Sequence, residues 1–192
     1  MTTAIPMPVS GDTRTVTYLE NSDHEITIYF ITGKEPEATM MIMGGIQGDE
    51  PGGYLAADLY ADMRLEKGNL IVVPRTNFYS IRRNNRGVFG DMNRKFGDSQ
   101  TKDDIDTRIV GILHSLMEKS DVLLNLHEGS GFYSPDSISN LRNPMRFGQS
   151  IIADAATFTR PDGRVIDLKA TVNRVLNDIN TNIRPTDHHF LF

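Results

Sequence analysis

The chain has 192 residues, 39% of them hydrophobic and 23% charged, with 20 basic and 25 acidic side chains, a formal net charge of −5 and no cysteine. That balance is globular, argues against general attraction to nucleic acid or anionic membrane, and removes disulfides, thiolate metal sites and cysteine nucleophiles together. No run of about 18 apolar residues occurs, so no membrane span is expected, and Met1 to Pro6 show no readable secretion signal.

In chain order, Glu25 to Thr32 is β-branched and aromatic with partial alternation and reads as a strand. Ala38 to Met43 is a nearly continuous apolar run stopping at Gly44-Gly45, the pattern of a strand covered on both faces. Pro51 sits where a helix begins, with Leu55, Leu59 and Met63 following at four-residue spacing as its apolar face. Leu70 to Val73 is a second buried strand, stopped by Pro74. From Arg75 to Lys102 the chain is polar and glycine-rich and reads as a long loop, a common place for function.

Ile105, Ile109, Ile112, Leu113, Leu116 and Met117 mark one helical face, with Asp103, Asp104 and Asp106 favourably placed for the dipole of its first turn. Val122 to Leu126 is a short strand ending at His127. Two weaker helical faces follow, one through Phe147, Ile151, Ile152 and Ala155, the other through Leu168, Val172, Val175, Leu176 and Ile179. Buried strands alternating with helices predict an α/β fold: a mixed, mostly parallel central sheet with helices on both faces, forming one domain over residues 1–192.

Three polar clusters fall just beyond expected strand ends: Gln47 to Glu50, Arg75 to Arg94, and His127 to Gly129. In open α/β sheets ligands bind at that edge. Gln47 and Glu50, three apart on a turn entering a helix, can face one point, and His127 can complete a metal-ligand set with an open position. The same residues also suit plainer roles: a turn glutamine, a carboxylate at a helix start, a core histidine. Spacing alone does not choose between them.

Gly44-Gly45-Ile46-Gln47-Gly48-Asp49-Glu50 resembles the GGIHGxE segment of zinc carboxypeptidases of the carboxypeptidase A type, with glutamine for the first histidine. Gly90-Asp91-Met92-Asn93-Arg94-Lys95-Phe96 is similar to their DLNRNF segment, and Leu124-Asn125-Leu126-His127 to the strand carrying their third metal ligand. The glutamine, together with His127-Glu128-Gly129-Ser130-Gly131-Phe132, resembles more narrowly the DL-carboxypeptidases that trim peptidoglycan tripeptides in helical and curved bacteria. The resemblance spans roughly Met40 to Phe132.

It implies one zinc ion on Gln47, Glu50 and His127, a peptide or muropeptide substrate, an envelope or periplasmic location, and Asn93 with Arg94 gripping the substrate's terminal carboxylate. A second substrate arginine is expected upstream. Arg82 and Arg86 both compete for that catalytic role, with Arg83 behind them.

The pattern breaks at the general base. The family's glutamate lies on a late strand, whereas Glu128 is the only glutamate after His127 here, and strand alternation would point it away from the ligands. The ending Asp187-His188-His189-Phe190-Leu191-Phe192 reads as a catalytic domain cut before its last strands, and His188-His189 as a surface pair. A chain without the base is expected to turn over feebly. An N-acyl amino acid deacylase of the same superfamily and a non-catalytic peptidoglycan-binding relative are the competing functions.

Overall fold

A computed structural model of the chain describes residues 11–97, 104–129, 150–160 and 162–182. Asp103, Ser130 to Phe132, Phe147, His188, His189 and Phe190 to Phe192 lie outside them. The chain divides into two units, Met1–Glu128 and Gly129–Phe192.

In the first unit five strands form one sheet: β1 Thr13–Tyr18, β2 Ile26–Thr32, β3 Glu35–Gly44, β4 Lys67–Val73 and β5 Val122–Leu126, in the order β1-β2-β4-β3-β5. β4, β3 and β5 are mutually parallel, while β2 runs antiparallel to both β1 and β4. The expected mixed sheet is therefore present. β1 was not anticipated, because its residues Thr13, Arg14, Thr15 and Thr17 are polar and its outer half is exposed.

Strand alternation sorts the core into two faces. Ile26, Ile28, Phe30, Met41, Met43, Ile71 and Val73 pack on helix α3, Ile105–Met117, through Ile109, Val110, Leu113 and Leu116. Ile31, Ile42, Leu70 and Val72 face the other way, against Tyr60 of helix α1, Pro51–Ala61, and Leu65 just beyond it. Ile109, Leu113 and Leu116 are buried, so the α3 face follows the expected stripe.

Helix α1 does not. Leu55, Leu59 and Met63 are 53%, 76% and 43% exposed, Met63 lies past the helix end, and the buried helix residues are Gly53 and Ala57. Small residues let this helix approach the sheet closely: a Cβ on Gly44 would stand 2.5 Å from the Gly53 carbonyl oxygen and 2.8 Å from the Ala57 Cβ. A Cβ on Gly53 would meet the Leu126 carbonyl oxygen at 2.6 Å. Backbone proximity, not a leucine stripe, seats α1 over the ends of β3 and β5.

The Arg75 to Lys102 stretch also holds more order than its composition suggested, with helix α2 at Phe78–Ile81 and a 3-10 turn at Met92–Arg94. In the second unit β6 Thr157–Thr159 and β7 Val165–Asp167 form a hairpin, followed by helix α4, Leu168–Asn182. The expected helical face through Ile151, Ile152 and Ala155 is not helical. The chain instead extends into β6 and turns back at Gly163, whose φ of +84° suits glycine.

Candidate metal centre

From β3 the chain crosses over α1 to β4 on one side, and from β4 it crosses over α3 to β5 on the other side of β3. The carboxyl ends of β3 and β5 therefore flank a point where the winding direction changes, the crevice that parallel sheets offer to ligands. Gln47 and Glu50 follow β3, and His127 follows β5.

Gly45, with φ of +67°, lets the chain turn sharply off β3. Gly48 lies against α2, where a Cβ would stand 2.2 Å from the Ser80 carbonyl carbon. This tight seat buries Gln47 to 2% exposure. Gln47 Oε1 lies 3.0 Å and Glu50 Oε2 2.8 Å from the same atom, His127 Nδ1. Two oxygens and one nitrogen thus converge from three side chains.

Partners around this triangle fix its orientation. Gln47 Nε2 donates to Asp91 Oδ1 at 3.0 Å, which leaves Oε1 turned toward His127. The same Asp91 oxygen accepts the Asn93 amide, and its other oxygen accepts from Arg86 Nε and a terminal nitrogen. Arg86 also donates to Glu50 Oε1 at 3.2 Å, and the Glu128 amide donates to Glu50 Oε2 at 3.1 Å. Asn125, two residues before His127 and so on the same strand face, lies 2.9 Å from its Nε2.

Burial raises the Glu50 carboxyl, but the contacts from His127, the Glu128 amide and Arg86 outweigh it and hold the pKa below the ordinary value. Asp91 follows the same logic: burial raises it, while Gln47, Arg86 and the Asn93 amide bring it down. Both are carboxylates at neutral pH, acceptors only.

Among the described residues no group of three His, Cys, Asp or Glu side chains comes together to hold a metal. The set here is instead one carboxylate, one imidazole and one amide. Its donor chemistry fits a divalent ion: an amide whose nitrogen is committed to Asp91 presents only its carbonyl oxygen, beside an ionised carboxylate and a ring nitrogen. Three protein donors are the number a catalytic zinc site uses.

The remaining expected residues fall as follows. Arg82 turns away, pairing with Asp23 at 2.8 Å and lying over the Phe78 ring. Arg83 lies 3.4 Å from the Tyr79 ring centroid. Arg86 alone of the three touches the triangle. Asn93 and Arg94 sit on the 3-10 turn, Arg94 exposed. Glu128 lies past β5, which ends at Leu126, and its carboxylate accepts the Gly52 amide at 2.6 Å, in the first turn of α1. Glu50, the N-cap residue of α1, makes no capping bond with its side chain. Glu128 thus satisfies a helix-start amide while Glu50 stays with the triangle.

Sequence reasoning assigned no role to Asp91 or Asn125. Asp91 stood two residues before Asn93 in a turn, a cap signal. Asn125 stood at the two-residue spacing that shares a strand face with His127.

The sequence matches the peptidase M99 family, described as the catalytic part of carboxypeptidases controlling helical cell shape, over residues 16–191. The chain belongs to this family. Among solved structures, the product-bound cell shape determinant protein Csd4 from Helicobacter pylori is 30% identical with a TM-score of 0.72, the match covering 86% of this chain and 41% of that one. The mDAP-bound form of Csd4, a D,L-carboxypeptidase, is 34% identical with a TM-score of 0.68, covering 80% and 37%.

A succinylglutamate desuccinylase/aspartoacylase from Rhodobacter sphaeroides, 23% identical over 68% of this chain and 44% of its own, shares the fold with a TM-score of 0.55. The chain therefore spans about two fifths of the length of the Csd4 structures it matches. Nothing among curated proteins matches it. No helix among the described residues is long and apolar enough to cross a membrane.

Beside the centre, Lys95 pairs with Asp104 at 2.6 Å and with Asp106 at 3.2 Å. Asp106 is 1% exposed, and its Oδ1 has no partner among the described residues. Burial pushes its pKa up more than Lys95 pulls it down. An unfolded aspartate loses its proton in the ordinary range and the folded one only at higher pH. Stability therefore falls as pH rises through that window and levels off above it. Asp106→Asn removes this loss. Thermal melts of both proteins across the window should show the variant gaining on the wild type as pH rises, and parallel curves would refute the assignment.

Proposed function

We propose that the chain carries the metal-binding and carboxylate-binding half of a zinc carboxypeptidase that releases the last residue of a peptidoglycan stem peptide. The observation that carries this reading is the convergence of Gln47 Oε1 and Glu50 Oε2 on His127 Nδ1, with Arg86 and the Asn93-Arg94 turn alongside. The tripeptide-bound and mDAP-bound states of Csd4 support the substrate class. A substrate made of cell-wall peptide supports a location in the envelope.

Zinc held by Gln47, Glu50 and His127 would supply Lewis acidity toward the scissile carbonyl and lower the pKa of a bound water. The chain's own groups do the rest of the positioning. Arg94 takes the substrate's terminal carboxylate through two parallel hydrogen bonds, and Asn93 adds a neutral contact. Arg86, between Glu50 and Asp91, stands where a guanidinium can donate to carbonyl oxygen as negative charge grows on it. Arg82, committed to Asp23, is not given that role. Glu128, engaged with Gly52, is not assigned the general base.

The clamp is tested by Arg94→Lys, which keeps the charge and loses the fork. Calorimetric titration with a tripeptide should show binding weakened by about 1.5–3 kcal/mol, the scale of a hydrogen bond to a charged group. Equal affinity of the wild type for the peptide and its C-terminal amide would remove the carboxylate clamp from the reading.

A further inference from the structure

The Met92–Arg94 turn is too short to hold its own shape. It is closed by two backbone bonds, Arg94 N to Asp91 O at 3.0 Å and Lys95 N to Met92 O at 2.9 Å, and a single 3-10 turn fixes many dihedrals for few bonds. Yet a two-pronged grip on a carboxylate requires the guanidinium in one place and one plane. Its rigidity has to come from what the turn is attached to.

Three attachments surround half-buried Asn93 and exposed Arg94. Asp91, on one side, is held by Gln47 and Arg86. Met92 is fully buried in the core. On the other side Lys95 reaches into helix α3, its side chain 13% exposed, where Asp104 and Asp106 receive it. Asp104 is itself fixed by accepting from the Thr107 amide at 2.9 Å and the Thr107 hydroxyl at 3.0 Å. Behind it α3 is anchored by Ile109, Val110, Leu113 and Leu116.

This triplet is a poor way to gain stability. Buried ions lose their hydration, and apolar side chains of similar volume usually serve as well or better. Asp106 is buried with one oxygen unpartnered among the described residues. What the triplet provides is direction, because a desolvated ammonium between two fixed carboxylates has one position, whereas an exposed pair would wander.

We propose that Lys95 is a positioning residue for the substrate's terminal carboxylate, mooring to α3 the turn that presents Asn93 and Arg94. The proposal rests on the reading of Asn93 and Arg94 as the carboxylate clamp. Lys95 itself touches no substrate.

The test uses the full, zinc-loaded chain and two ligands, a synthetic stem tripeptide ending in mDAP and its C-terminal amide. Lys95→Met alone leaves the buried Asp106 carboxyl without its cation, so the variant of choice is Lys95→Met with Asp106→Asn, which removes charge of both signs. It should keep its zinc and its affinity for the amide while losing about tenfold in affinity for the free acid, the order expected from a displaced binding group. Lys95→Arg, which can still reach both carboxylates, should recover most of the preference.

A folded double variant with the wild-type preference for the free acid overturns the proposal and leaves the clamp standing. Equal weakening of both ligands overturns it too, since it marks Lys95 as a general structural support. A wild type that does not distinguish acid from amide overturns the clamp itself, and the role of Lys95 with it.

Discussion

Glu50→Ala and His127→Ala are each expected to reduce zinc in the purified protein from one equivalent to background. Loss of a supporting partner outside a metal's ligands typically costs 10–100-fold in affinity, and loss of a ligand costs more. His127→Ala also removes the atom on which Gln47 Oε1 and Glu50 Oε2 converge, and Glu50→Ala removes the nearer of the two oxygens at His127 Nδ1, 2.8 Å away. Neither residue belongs to the apolar core, so circular dichroism should show both variants folded. Gln47→His should move zinc affinity the other way, because imidazole is the softer donor. Zinc retained unchanged in both alanine variants would end the assignment of this centre.

The apolar runs at Met40 to Met43 and Leu70 to Val73 were legible as strands because long apolar and β-branched residues covered on two faces leave no polar gap, and Val122 to Leu126 was legible from its apolar residues although Val122 and Leu123 are 51% and 42% exposed. Their carboxyl ends bring Gln47, Glu50 and His127 together, as the strand pattern led one to expect. Helix α1 was legible in position and not in orientation. Its leucines advertise a face that the structure leaves exposed, whereas close contact through Gly53 and Ala57 leaves almost no hydrophobic signal in a sequence. Strand β1 was missed for a related reason. Threonines on a sheet edge look like loop, and only pairing with Ile26 to Ile31 identifies them.

Within the candidate site, Gln47, Glu50 and His127 stood out through their ordered resemblance to a known pattern, whereas the groups around them carried no such signal. Arg82 and Arg86 are equivalent in composition and four residues apart. What separates them is that Asp23, far away in sequence, takes Arg82, while Asp91 and Glu50 take Arg86. Glu128 illustrates the same limit: it lies two residues beyond β5, where the strand no longer sets its direction, and its carboxylate goes to a helix amide 76 residues earlier. Long-range polar contacts of this kind have no local period to betray them.

Asp91→Ala is expected to weaken zinc binding by about 10–100-fold although Asp91 is not among the three donors. The reason lies in the glutamine. An imidazole can offer a lone pair from either ring nitrogen by changing tautomer, but a carboxamide has an oxygen at one end and an NH2 group at the other, nearly equal in size, and only the oxygen can bind a cation. Asp91 is ionised at neutral pH, since the contacts from Gln47, Arg86 and Asn93 outweigh its burial, and so it can only accept. It therefore compels the Gln47 nitrogen toward itself and the oxygen toward His127. With alanine at 91 the amide is free to turn, and the orientation that binds metal becomes one of several. Arg86→Ala is the comparison: it removes a partner of both Asp91 and Glu50 while leaving the Gln47 contact in place, so a larger loss in Asp91→Ala separates the turning of the amide from the loss of neighbouring contacts. Competition with a chelator of known affinity measures all three proteins. An Asp91→Ala variant that holds zinc as tightly as the wild type would show that the Gln47 amide is oriented by something other than this carboxylate.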